Sequence, residues 1–178
     1  GNPPDFVQKK SNIRGMWYYI KKKFSQHHPL RGDHYSLMIK SLTLMVRAGL
    51  FSYAAFDFRD PGAGTWKLGF QNPHIILMGE KDGFITIMED LNKAYGCHVI
   101  TAGGIPSFMT VNYMVAAMKN FEIDFKQRFY VFSFSDFDPS GHNVAETFVQ
   151  HFNDSGLRNI QLFNQWGDGK KQRPWLEL

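Results

Sequence analysis

The chain reads as an α/β protein in two parts, a basic helix-rich segment over residues 5–70 and a parallel-sheet domain over 71–178. Two observations predict this. Through residue 70, Lys and Arg outnumber Asp and Glu eleven to four, a balance of +7, whereas residues 71–178 hold nine against twelve, a balance of −3. Beyond Pro73, short strand-like segments, the first of them the continuous apolar HIILMG, alternate with segments of helix length, the pattern of a parallel sheet covered on both faces. A basic part suits a polyanion and an acidic part suits cations, although a charge of this size also serves simply to solubilise a surface.

Within the basic part, Ser11 to Phe24 reads as a helix capped by Ser11 or Asn12 and ending in the run Lys21-Lys22-Lys23. Pro29 and Gly32 break the chain in QHHPLRGD. A second helix runs from His34 to Ala48, with Leu37, Met38, Leu42, Met45 and Val46 as its apolar face and Gly49 as its stop. LFSYAAFDF and TWKLGF, separated by RDPGAG, read as two strands joined by a turn. Helix, helix, hairpin is the order of a winged-helix DNA-binding domain.

In the second part, HIILMG is a strand and Asp82 to Ala94 a helix; CHVIT is a strand and Ser107 to Lys119 a helix. RFYVFSFS, the helix Gly141 to Asn153, and NIQLF complete the alternation. Functional groups gather beyond the carboxyl ends of such strands. Here those exits are Gly79-Glu80-Lys81-Asp82, Ala102-Gly103-Gly104 and Asp136-Phe137-Asp138. Asp136 and Asp138 are two apart, so at a strand end both can point the same way. With Glu80 they would form a carboxylate cluster that repels itself unless a cation sits within it. Hard oxygen ligands of this kind suit Mg²⁺, which keeps waters and phosphate oxygens as its other ligands. Taken singly, DFDPSG also reads as a turn with a helix cap, and Glu80 as a solvated loop residue.

GEKDGF at 79–84 and SDFDPSG at 135–141 resemble the two signatures of the Toprim domain, a glutamate after one strand and DxD after a later one. The likeness is closest to the topoisomerase VI A subunit and its relative, the meiotic double-strand-break transesterase. TAGGIPS at 101–107 is similar to the TGKGxPD loop of that family. The resemblance implies that Glu80, Asp136 and Asp138 bind Mg²⁺. Ala102 and Gly103 depart from the family's Gly-Lys and Ser107 from its Asp, and the Arg that follows the loop is absent, Val111 or Asn112 being nearest.

The N-terminal helix carries the second candidate group. Arg14 and Tyr18 are four apart and share a helical face, so the guanidinium can lie near the phenol and favour a phenolate or hold a phosphate oxygen. Trp17, Tyr18 and Tyr19 also read as core or base-stacking residues. Arg14-Gly15-Met16-Trp17-Tyr18 is similar to the R-x-x-[aromatic]-Y motif of the same family, which implies that Tyr18 is the nucleophile. HYSLMIKSLTLMVRAGLFSYAAFD resembles the stretch that follows in small topoisomerase VI A-like proteins of bacteria, phages and mobile elements. At 178 residues the chain reads as a minimal form of that subunit.

The resemblance therefore implies a type IIB topoisomerase-like transesterase that cuts double-stranded DNA as a homodimer, with an ATPase B-type subunit as a possible partner. Arg14 and Lys81 would stabilise the transition state, and Lys9, Lys10, Lys21, Lys22, Lys23 and Arg31 would contact phosphates. A Toprim nuclease that uses water and a non-catalytic DNA-binding relative are the rival readings. One cysteine, Cys97, excludes an internal disulfide and speaks against a thiolate zinc site. No apolar run is long enough for a membrane span and the first ten residues lack a signal-peptide core, which predicts an intracellular protein of cytoplasm, nucleoid or nucleus.

Overall fold

A computed structural model describes residues 13–24, 29–56, 58, 64–136 and 139–163. The chain divides into two compact units, Gly1–Pro61 and Gly62–Leu178.

The first unit holds α1 (Ile13–Phe24) and α2 (Gly32–Arg47), followed by a 3₁₀ turn at Tyr53–Phe56. In α1 the buried residues are Met16 and Trp17, and the lysine run sits in the last turn, where cations complement the helix dipole. At the start of α2 the Arg31 N–H donates to His34 Nδ1 at 3.0 Å, while Asp33 occupies the first turn. At its end the Gly49 and Leu50 amides donate to the carbonyls of Val46 and Met45, closing the helix as the sequence predicts. Trp17 packs on Tyr35 with ring centroids 5.8 Å apart, and the Tyr53 hydroxyl meets Thr43 Oγ1 at 3.2 Å.

Among the described residues the expected hairpin does not form. Of its first strand, Tyr53–Phe56 is a 3₁₀ turn in which the Ala55 N–H is bonded to both the Ser52 carbonyl and the Ser52 hydroxyl. A serine that can hydrogen-bond forward, here to the second alanine of Ser52-Tyr53-Ala54-Ala55, favours a local turn over an extended strand. The second strand exists as β1 (Trp66–Lys67), but it pairs antiparallel with the sheet of the second unit, Trp66 opposite Ile100. A Cβ on Gly64 would lie 1.5 Å from the Thr101 carbonyl oxygen, so only glycine lets the chain approach that edge. The boundary between units accordingly falls after Pro61 and not after Phe70.

The second unit follows the predicted alternation. β2 (Asn72–Gly79), β3 (Cys97–Thr101), β4 (Phe129–Phe134) and β5 (Ile160–Phe163) are joined by α3 (Ile85–Tyr95), α4 (Phe108–Asn120) and α5 (Pro139–Asp154). The sheet order is β1-β3-β2-β4-β5, with all pairings parallel except that of β1. The connection after β2 runs one way along the sheet and the next two run the other way. Right-handed crossovers then place α3 on one face and α4 and α5 on the other. Burial agrees: Ile76, Met78, Ile100 and Val131 pack with Met114, Met118, Phe148 and Phe152 of α4 and α5. Met88 of α3 packs on the opposite face with Cys97, Val99, Ile75 and Leu77.

A titratable side chain lies buried within this sheet. His98 is fully buried, and its Nδ1 accepts the Gly69 N–H at 2.9 Å, so the proton of the neutral ring sits on Nε2. Burial lowers its pKa to about 4, with His74 adding to the shift and the Pro73 backbone opposing it. Above pH ~6.5 the ring is neutral in both folded and unfolded chains and costs nothing. Between pH ~6.5 and about 4 the unfolded chain takes up a proton that the folded chain refuses, and roughly 3 kcal/mol of stability is lost. In His98→Asn the amide oxygen can accept the Gly69 N–H without titrating. Urea unfolding at pH 7 and pH 4.5 should show wild type losing about 2–3 kcal/mol more than the variant.

Candidate metal centre at the sheet switch point

The point where the strand order reverses lies between the carboxyl ends of β2 and β4, the place where parallel sheets open a crevice for ligands. Gly79 stands opposite Phe134 at the last pair of the ladder. One residue further, the Glu80 N–H donates to the Phe134 carbonyl at 3.0 Å, and the Asp136 N–H donates to Glu80 Oε2 at 3.0 Å. Lys81 Nζ lies 2.5 Å from Asp136 Oδ2, across 55 residues of sequence. The third exit joins the same edge: Ala102 N–H donates to the Gly79 carbonyl at 2.9 Å and Gly104 N–H to that of Glu80 at 3.2 Å. The three strand exits picked out in the sequence are thus bonded to one another.

Asp136 is held from behind by the start of α5. A Cβ on Gly141 would lie 2.2 Å from the Asp136 carbonyl oxygen, so the helix can begin this close to β4 only with glycine there. Asp138 and Phe137 lie outside the described residues. Of the expected carboxylates, the structure therefore brings together Glu80 and Asp136. Among the described residues no three His, Cys, Asp or Glu side chains form a metal cage. The donor chemistry nonetheless fits a hard cation. Each carboxylate has a second oxygen beyond the bonds above, Glu80 is half-buried, and Asp136 is exposed enough for the ion to keep waters.

Asp82, absent from the expected site, also belongs to this edge. Thr101 Oγ1 donates to its Oδ1 at 3.4 Å, and a Cβ on Gly103 would meet its Oδ2 at 3.1 Å. Its signal in the sequence was its position in Glu80-Lys81-Asp82. Val111, one of the two positions nearest the missing arginine, is fully buried in the core and presents nothing to a ligand.

In the first unit, Arg14, Tyr18, Lys21 and Lys22 are exposed and recur at helical spacing along α1. Tyr18 is 62% exposed, whereas Trp17 is buried against Tyr35 and Tyr19 is half-buried with Lys23 Nζ 5.9 Å from its ring centroid. Of the three aromatics read as core or base-stacking residues, Trp17 is core and Tyr18 is not. Arg31 is exposed at the start of α2, and Lys9 and Lys10 lie outside the described residues. No helix among the described residues is long and apolar enough to cross a membrane. No protein-family model matches the chain, and no curated protein matches it.

Proposed function

We propose that the protein is a Mg²⁺-dependent DNA-cleaving transesterase resembling the topoisomerase VI A subunit, acting as a homodimer on duplex DNA. The observation that carries this reading is the direct bonding of the Glu80 and Asp136 exits at the switch point of a parallel sheet. The exposed Tyr18 in an Arg14-to-Tyr18 spacing supports it. The Tyr18 oxygen attacks a backbone phosphorus and forms a phosphotyrosine bond. The bond to the 3′ oxygen breaks, and that oxygen takes up a proton as the phenol loses one. Glu80, Asp136 and Asp138 would hold Mg²⁺, which would supply positive charge to neutralise the phosphate. Arg14 pairs with a non-bridging oxygen, and Lys81 supplies a further positive charge at the metal edge. By the resemblance, the tyrosine of one protomer serves the carboxylates of its partner.

The test is a cleavage assay on plasmid DNA with Mg²⁺ or Mn²⁺, stopped with detergent. Broken DNA that carries protein through denaturation is the expected product. Breaks without bound protein would replace this reading with a water-using nuclease.

DNA binding has its own check. Lys21, Lys22 and Lys23 are exposed in the last turn of α1. Reversing all three to Glu should weaken duplex binding and lower the slope of log affinity against log salt by about 2.7, roughly 0.9 for each phosphate no longer neutralised. An unchanged slope places the DNA elsewhere.

A further inference from the structure

Lys81 is the sequence neighbour of Glu80 and the spatial partner of Asp136. The Asp136 N–H on Glu80 Oε2 brings two carboxylate residues onto adjacent strand exits, and like charges so placed need a cation between them. The ammonium of Lys81, 2.5 Å from Asp136 Oδ2, meets that need from within the chain. Its side chain is 56% exposed and that of Asp136 48%, so the pair is in contact with water and can exchange.

We propose that Lys81 is an internal place-holder cation, paired with Asp136 until a divalent ion displaces it, so that metal entry and lysine release are one event. The proposal rests on the reading of Glu80 and Asp136 as metal ligands. Glu80, Asp82, Asp136 and the proposed ligand Asp138 against Lys81 leave this edge a formal charge of −3, and a divalent ion brings it to −1, so loading weakens the repulsion of an incoming phosphate. A lysine is suited to this exchange, because its point charge rides on a flexible stem and is not locked in a bidentate fork. Once displaced, the ammonium can turn to an anionic oxygen brought in by the substrate. The competition also keeps metal affinity low, which ties full occupancy to the arrival of phosphate ligands.

The test uses the full chain with Mn²⁺ binding followed by electron paramagnetic resonance, and with lysine ammonium NMR under Mg²⁺. Lys81→Gln, which removes the competing charge, should bind Mn²⁺ on the order of fivefold more tightly than wild type. In wild type the Lys81 ammonium signal, identified by its loss in Lys81→Arg, should move on adding Mg²⁺. It should reach the position that it already holds in Asp136→Asn. Simple repulsion between lysine and metal would tighten Mn²⁺ binding in Lys81→Gln while leaving that signal in place, and an unmoved signal overturns the proposal. Equal or weaker Mn²⁺ binding by Lys81→Gln overturns it too, with the metal site left standing. Absence of Mn²⁺ binding in wild type and Lys81→Gln alike removes the metal site and the place-holder together.

Discussion

A Tyr18→Phe variant is expected to lose DNA breakage by a factor on the order of 10⁴ or more, because removing a covalent nucleophile leaves only binding and electrostatics to act. The ring stays, so no cavity is created, and at 62% exposure the absent hydroxyl should change stability by no more than about 0.5 kcal/mol. Unaltered urea midpoints and duplex affinity would assign the loss to chemistry. Mixing this variant with Glu80→Ala extends the test to the dimer. Subunit exchange creates heterodimers in which one composite site keeps both Tyr18 and Glu80 and the other keeps neither. Such mixtures should nick one strand and leave a detergent-resistant adduct, although each parent is inactive. Full cleavage by Tyr18→Phe would sink the transesterase reading, and silence in every combination, wild type included, would favour a non-catalytic DNA-binding protein.

Glu80→Gln is the second substitution of large expected effect. The glutamine amide oxygen can still accept the Asp136 N–H that Glu80 Oε2 accepts at 3.0 Å, so the joint between β2 and β4 is kept. What disappears is one of the negative charges that would hold the cation. Divalent binding should fall below detection by calorimetry, and cleavage should drop about 10²–10³-fold, the usual size for removing one preorganised electrostatic interaction at a reacting oxygen. Glu80→Ala removes the hydrogen bond as well as the charge and should add a stability loss of about 1 kcal/mol, visible as a lower urea midpoint. Equal metal binding in wild type and Glu80→Gln would take Glu80 out of the site.

Much of the second unit was legible before any coordinates. HIILMG is a continuous apolar run, the mark of a strand buried on both faces, and CHVIT, RFYVFSFS and NIQLF are apolar-rich segments of strand length. All four are strands, and the predicted segments between them are helices. Local signals served as well at the end of α2, where Gly49 closes the helix. They failed at LFSYAAFDF, where aromatic richness read as a strand. There the Ser52 hydroxyl, bonded to the Ala55 N–H, settles the backbone into a 3₁₀ turn. They failed again at TWKLGF, because β1 satisfies its backbone groups on the open edge of β3 and not on a neighbour in sequence.

The sequence by itself determined the alternation of strands and helices, the three strand exits and the residue types placed on them. It also determined that Trp17 and Tyr18 occupy different faces of one helix, since successive residues turn by about 100°. Which face turns inward was decided by packing, through the contact of Trp17 with Tyr35. The order of strands was decided only by tertiary structure, because an apolar run records that a strand is buried and carries no address for its neighbour. Pairing β2 with both β3 and β4 is what puts Glu80 beside Asp136 and hands Lys81 a partner 55 residues away. Those contacts are non-local, and their energies depend on distances that no spacing along the chain contains.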